Sequence, residues 1–207
     1  MPRAQSILDK KGPDVATADR NSSVLDVAKL ESGRAEWHVS RVDMKEVISD
    51  TVAAMSQLFE ERRIRVDVSV PEGVSPVNGD TDRLIQVLLN LLSNAMKFCD
   101  PRDGRIEISL TEAEDALRID VRDNGCGIDE ADQRIIFDKF RQAGDAPADT
   151  PQGSGLGLYI SRRIIERHGG SLRVESRRGE GACFSISLPI TAPEQESRAE
   201  PARRSVA

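Results

Sequence analysis

Aromatic side chains make up only 3% of the 207 residues, with one tryptophan and one tyrosine among them. Single-stranded nucleic acid is held on stacked aromatic platforms, so that partner class is disfavoured. A net charge of −6 argues in the same direction, because phosphate contacts need a basic face. No apolar run approaches the roughly 18–20 residues that cross a bilayer. The opening segment from Met1 to Lys11 lacks the apolar core of a signal peptide. A cytoplasmic domain without membrane contact is the expectation. The three cysteines, Cys99, Cys126 and Cys183, form no CxxC pair, which predicts reduced thiols rather than a structural zinc site. Histidine is scarce as well. His38 reads as an ordinary strand residue, and His168 as a helix C-terminal cap.

What is present suffices for one core, at 38% hydrophobic residues. Residues 1–21 are polar and without apolar period, and are expected to be mobile. Ser22 or Ser23 caps a short helix that ends near Gly33. A strand is predicted over Trp37–Val42. Asp43 then caps a helix over Met44–Arg62, and Ile64–Val70 alternates as a half-buried strand. A short element at Val74–Asp80 precedes a helix over Arg83–Phe98. Ile106, Ile108 and Leu110, then Leu117, Ile119 and Val121, form two strands of a meander. Asp129 opens a short helix. Residues 141–154 have no periodicity and read as a long mobile loop. A helix from Gly155 to His168 and strands at Leu172–Ser176 and Ala182–Leu188 complete the domain. A polar tail, 191–207, follows. This order predicts an α/β two-layer sandwich, a mixed sheet with helices on one face.

The helix over Arg83–Phe98 is apolar around most of its circumference. Its one polar line, Arg83, Gln86, Asn90, Asn94 and Lys97, follows helical spacing. Two carboxamides and an ammonium on an otherwise buried helix need partners. Asp123-Asn124-Gly125-Cys126-Gly127 is a turn signal. It is also an arrangement in which a fixed carboxylate accepts from an exocyclic amine while glycines let a flat base approach. Gly153-Ser154-Gly155-Leu156-Gly157-Leu158 stands at the mouth of a helix, where backbone N–H groups and the helix dipole can face a polyphosphate. It lacks the GK[ST] ending of a Walker A loop, and a plain hinge is the other reading. Phe137 and Phe140 are expected to be core anchors that pin the root of the loop after Arg141.

In this order the four motifs resemble the catalytic ATP-binding domain of a sensor histidine kinase, the Bergerat fold shared with gyrase, the heat-shock chaperones and the MutL repair proteins. Asn90–Phe98 matches the N box, Asp123–Gly127 the first glycine box, Phe137–Phe140 the F box and Gly153–Leu158 the second. The resemblance covers about residues 22–190. It implies a remnant of the second dimerisation and phosphotransfer helix at 22–34 and the catalytic domain at 35–190. It implies ATP and Mg²⁺ as cofactors, with the metal on Asn94. Lys97 would meet a phosphate, and Asn90 would bond near both. Asp123 would accept from the adenine amine, with Gly125 and Gly127 permitting close approach. Gly153, Gly155 and Gly157 would contact phosphates, and Ile128, Phe140, Ser154, Leu156 and Leu158 would also contact the nucleotide. Arg141 stands one place earlier than the arginine that follows the F box in many members, and is carried over as a phosphate contact.

Hydrolysing branches of that superfamily carry a glutamate four residues before the metal-binding asparagine. Asn90 occupies that place here, and a carboxamide cannot act as a general base. The resemblance therefore implies transfer of the γ-phosphate to a histidine on a separate dimerisation and phosphotransfer domain, and indirectly to a response-regulator receiver domain. Neither histidine of this chain has the His-Glu context of such an acceptor. The sequence reads as a truncated piece, a split kinase or a degenerate one, monomeric without the acceptor helices. The alternative is a non-catalytic nucleotide-binding regulator that docks on a partner kinase.

Overall fold

The computed structural model describes residues 35–113, 115–141 and 154–190, together with Ala4, Val27, Ala28, Leu30 and Ser32. The expectations for the rest of 1–21, for 142–153 and for 191–207 lie outside the described residues. Val27, Ala28 and Leu30 are helical, and the Ser32 N–H donates to the Ala28 carbonyl at 3.0 Å.

Period-two alternation builds the main sheet. In β4 (Arg105–Ala113) Ile106, Ile108 and Leu110 are buried, and in β5 (Ala116–Asp123) Leu117, Ile119 and Val121 are. In β7 (Ala182–Pro189) Phe184, Ile186 and Leu188 fill the same face. The register sets Ile108 opposite Val121 and Ile119 opposite Ile186, so the apolar sets coincide. β2 (Arg65–Ser69) runs parallel to β4 at one edge, and β6 (Ser171–Ser176) runs antiparallel to β7 at the other. The order is β2-β4-β5-β7-β6, a mixed five-stranded sheet.

Two strands differ from the sequence reading. β2 is mostly exposed, with Val68 at 46%, because an edge strand has a neighbour on one side only. β1 (Val39–Val42) lies outside the main sheet and pairs antiparallel with β3 (Val77–Asp80), which is the short element before the long helix.

The helices lie on the buried face. α1 (Met44–Glu61) starts at Asp43, whose carboxylate accepts from the Lys45 N–H at 2.8 Å as its sequence position suggests. α2 (Thr81–Phe98) packs against α1 and β5, and α4 (Gly157–Arg167) packs against α2 and β6. A short helix, α3 (Glu130–Gln133), sits by the end of β6. α2 buries Leu84, Ile85, Val87, Leu88, Leu89, Leu91, Leu92 and Ala95. Each large side chain so buried stabilises the fold by about 1.5–3 kcal/mol before entropy is counted.

The start of α2 is tied down by polar contacts. Asp80, only 4% exposed, accepts from the N–H groups of Asp82, Arg83 and His38. Its own N–H donates to His168 Nε2 at 2.9 Å, and His168 Nδ1 lies 2.7 Å from the Ile164 carbonyl. Those partners require the Nδ1–H tautomer. His168 is the C-cap residue of α4, as the sequence suggested, and it also joins α4 to the start of α2. Trp37 meets the His168 ring edge-on at 5.6 Å and carries the guanidinium groups of Arg83 and Arg167, each 5.8 Å from its ring centre. Arg83 also donates to Gln86 Oε1 at 2.9 Å, so the first two members of the polar line serve structure. His168→Ala leaves the Asp80 N–H without its acceptor. It is expected to lower unfolding stability by about 1–3 kcal/mol, read from the urea midpoint.

Candidate functional site

The rest of the polar line is arranged differently. Asn90, Asn94 and Lys97 are half-buried between the leucines of α2. Asn90 Nδ2 donates to Ser161 Oγ at 3.0 Å, and Ser161 is itself 1% exposed. A Cβ on Gly157 would come within 2.2 Å of Asn90 Oδ1, so α4 can approach only because residue 157 has none. Asn94 takes no hydrogen-bond partner for its side chain among the described residues. Lys97 has no carboxylate partner among them either. Its ammonium lies 4.8 Å from the Phe98 ring centre, and burial lowers its pKa. An uncommitted carboxamide oxygen one turn from an uncommitted ammonium suits a polyanion carrying a hard cation. Among the described residues no cluster of three or more His, Cys, Asp or Glu side chains could hold a metal. Mg²⁺ keeps several waters and substrate oxygens and needs only one or two protein ligands, a demand that the open Asn94 carboxamide oxygen can meet.

The first glycine loop sits on the end of α2. The Cys126 N–H donates to the Phe98 carbonyl at 3.3 Å, and a Cβ on Gly125 would lie 2.1 Å from that oxygen. Asp123 closes β5 and is 6% exposed. Burial pushes its carboxyl up to about 6, against the N–H groups of Gly125 and Ala182 that hold the charged form. Asn124 points the other way: its Oδ1 accepts from the Arg105 N–H and its Nδ2 donates to the Asp103 carbonyl. The turn reading and the functional reading of this motif are therefore compatible. Asn124 fastens the turn, and Asp123 stays with a glycine on its inner side. Ile128, half-buried, ends the loop.

The F-box expectation is half corrected. Phe137 is an anchor, 7% exposed and edge-on to Phe184 at 6.4 Å. Phe140 is 67% exposed, because its φ of 60° turns the side chain away from the core. It still fixes the root of the following segment, through its backbone: the Phe140 N–H donates to the Gly155 carbonyl at 3.0 Å. Gly155, at φ 69°, passes so close that a Cβ would lie 2.8 Å from the Phe140 carbonyl carbon. Arg141 is exposed beside this junction. Ser154 Oγ accepts from the Leu156 N–H at 3.3 Å, Leu156 is buried in the core and Leu158 is half-buried. Gly153 lies outside the described residues.

α2 thus touches both glycine motifs, at Asn90 through Gly157 and at Phe98 through Gly125. Ser161 escaped the sequence reading, although a small polar residue on the apolar face of α4, beside Ile160 and Ile164, was its available signal. A groove of about 320 Å³ lined by Asp67, Glu107, Asp120, Arg122 and Cys183 contains none of the site residues.

The Asp123 shift has a testable sign. Its folded pKa, about 6, lies above the ordinary 3.8, so between those values the native state holds a proton the unfolded chain has released. Its contribution to stability is fully present below pH 4 and is lost as pH rises through 6, by about 3 kcal/mol. Asp123→Asn should remove that component, seen as a flatter dependence of urea stability on pH between 4 and 7 than in the wild type.

A family model for histidine kinase-, DNA gyrase B- and HSP90-like ATPases matches residues 79–192. The virulence sensor protein BvgS of Bordetella bronchiseptica is 35% identical over 184 residues, covering 86% of this chain and 15% of BvgS. The sensor protein GacS of Pseudomonas syringae is 36% identical over 176 residues, covering 82% of this chain and 19% of GacS. The circadian input-output histidine kinase CikA of Synechococcus elongatus is 31% identical over 170 residues, covering 81% and 22%. The chain thus spans under a quarter of each of these relatives. Full-length ShkA in complex with AMPPNP resembles it at a TM-score of 0.71 and 28% identity, over 82% of this chain and 35% of that one. The catalytic domain of histidine kinase ThkA does so at 0.65 and 27%, over 75% and 99%. The matched segment starts in β3 and takes in α2, both glycine motifs and β7, and on that match the chain belongs to the histidine kinase-, DNA gyrase B- and HSP90-like ATPase family.

Proposed function

We propose that this chain is the ATP-binding catalytic domain of a sensor histidine kinase that passes the γ-phosphate of ATP to a histidine on a separate helical domain. Asn90 carries this reading. A hydrolase needs a base to take the proton of water. A carboxamide cannot do so at neutral pH, and the amide of this one is committed to Ser161. An imidazole acceptor is already nucleophilic, so positioning and charge neutralisation suffice.

In this reading Asp123 accepts from the adenine amine while Gly125 and Gly127 leave room for the ring. Lys97 meets phosphate as a point charge. Asn94 and Asn90 lie along the phosphates, and Gly155 and Gly157 present backbone N–H groups at the start of α4. Mg²⁺, held through Asn94, supplies neutralisation of phosphate charge. The AMPPNP in the ShkA complex supports a nucleotide as ligand. His168 is a poor acceptor, since both ring nitrogens are engaged within the fold. His38 sits on the strand entry with no flanking acid. The phosphoacceptor then comes from outside this sequence, with a response-regulator receiver domain beyond it, in the cytoplasm. Among the described residues no helix is long and apolar enough to cross a membrane.

Incubation with γ-labelled ATP and a separate acceptor-helix domain should place acid-labile phosphate on that domain. ATP binding without transfer to any acceptor would instead indicate the non-catalytic regulator, and steady phosphate release would indicate an ATPase. Asn94→Ala should weaken nucleotide binding by about tenfold or more with Mg²⁺ present and much less without it. Equal loss in both conditions would remove the metal from Asn94.

A further inference from the structure

The β6–β7 turn is bolted to the Asp123–Ile128 loop through two side chains that no motif includes. Ser176, the last residue of β6, accepts from the Ile128 N–H at 2.8 Å and donates to the Gly181 carbonyl at 2.6 Å. Gln133, on α3, donates from one amide nitrogen to the Ile128 carbonyl at 2.9 Å and to the Ser176 carbonyl at 2.8 Å. The backbones then interlock. The Gly179 N–H donates to the Cys126 carbonyl at 2.7 Å. A Cβ on Gly127 would lie 2.0 Å from the Arg177 carbonyl oxygen, and one on Gly181 would lie 2.0 Å from that of Asp123. Arg178 pairs with Asp129 at 2.7 Å across the same seam.

The Gly181 carbonyl and the Ala182 N–H are two ends of one planar peptide. The carbonyl end is held by Ser176, and Ala182 at the other end stands directly opposite Asp123 in the β5–β7 register. The Ser176 hydroxyl therefore fixes the peptide that enters β7 beside Asp123. The same oxygen fixes Ile128, and so the far end of the loop that starts at Asp123. Gln133 locks both strands of this clamp. We propose that Ser176 and Gln133 are positioning residues for base selection, acting through the Gly181–Ala182 peptide and the Asp123–Ile128 loop rather than by touching the nucleotide.

This proposal rests on the reading of Asp123 as the acceptor of the adenine amine, and the test separates the two. Affinities for ATP and for purine riboside triphosphate, which lacks the amine, are measured on the whole chain by calorimetry. The proteins are the wild type, Ser176→Ala, Ser176→Thr and Gln133→Ala, and thermal unfolding is recorded alongside. The wild type should prefer ATP. Ser176→Ala should reduce that preference about tenfold, with purine riboside triphosphate changed about twofold at most, and Ser176→Thr should restore it through the retained hydroxyl. Gln133→Ala should act in the same direction by a few-fold, and it decides the matter if Ser176→Ala does not fold. Preference kept in both alanine variants, or equal loss for both nucleotides, overturns the proposal while leaving Asp123 as base acceptor. A wild type that binds both nucleotides equally overturns the Asp123 reading and this proposal with it.

Discussion

Burial of α2 is the constraint on which the other parts depend. Eight of its apolar side chains lie in the core, so the helix cannot turn about its axis without exposing leucine to water. Its single polar line is therefore fixed in direction, and the two ends of that line do different work. At the start, Asp80 gathers three backbone donors and gives its own N–H to His168, while Trp37 is flanked by Arg83 and Arg167. At the far end, Asn94 and Lys97 are left uncommitted by the described residues. Side chains tied into the fold and side chains left open are thus separated along one helix of 18 residues.

Closeness between backbones does the rest. Five described glycines stand where a Cβ would lie about 2 Å from a neighbouring oxygen, and four of them, at 125, 127, 157 and 181, join α2, the glycine motifs and the β6–β7 turn. Two of those contacts, at Gly125 and Gly157, bring the glycine motifs onto α2. The other two bring the β6–β7 turn onto the Asp123–Ile128 loop. This packing buries Asp123, and burial raises its pKa to about 6. A carboxylate poised there has most to gain from an amine donor, because a hydrogen bond to a poorly solvated charge is worth more than one in water. In the proposed reading, the cost of burial and the capacity to read a base have one origin.

Much of this was legible in the sequence because it is local. Alternation at Ile106–Leu110, Leu117–Val121 and Phe184–Leu188 is a period, and the Asp43 cap is a short-range signal. The order of the four motifs was legible for the same reason. What escaped is long-range or conformational. Nothing near Val39 announces that β1 pairs with β3 rather than joining the sheet. The spacing of Phe137 and Phe140 suggests one face, and only the left-handed backbone at Phe140 turns the second ring outward. Ser161, Ser176 and Gln133 bond partners 71, 48 and 43 residues away, and single polar residues at such separations leave no pattern to read. That Asn94 shares one face with Asn90 and Lys97, by contrast, follows from the helical line itself.

The central claim is that Asp123 reads the adenine amine. Its side-chain carboxyl carbon can be followed by NMR across pH, with and without ATP. Free protein should titrate near 6. With ATP bound, the donated hydrogen bond favours the charged form, so the midpoint should fall well below that value, while purine riboside triphosphate should leave it in place. A midpoint that ATP leaves unchanged or raises would contradict the account.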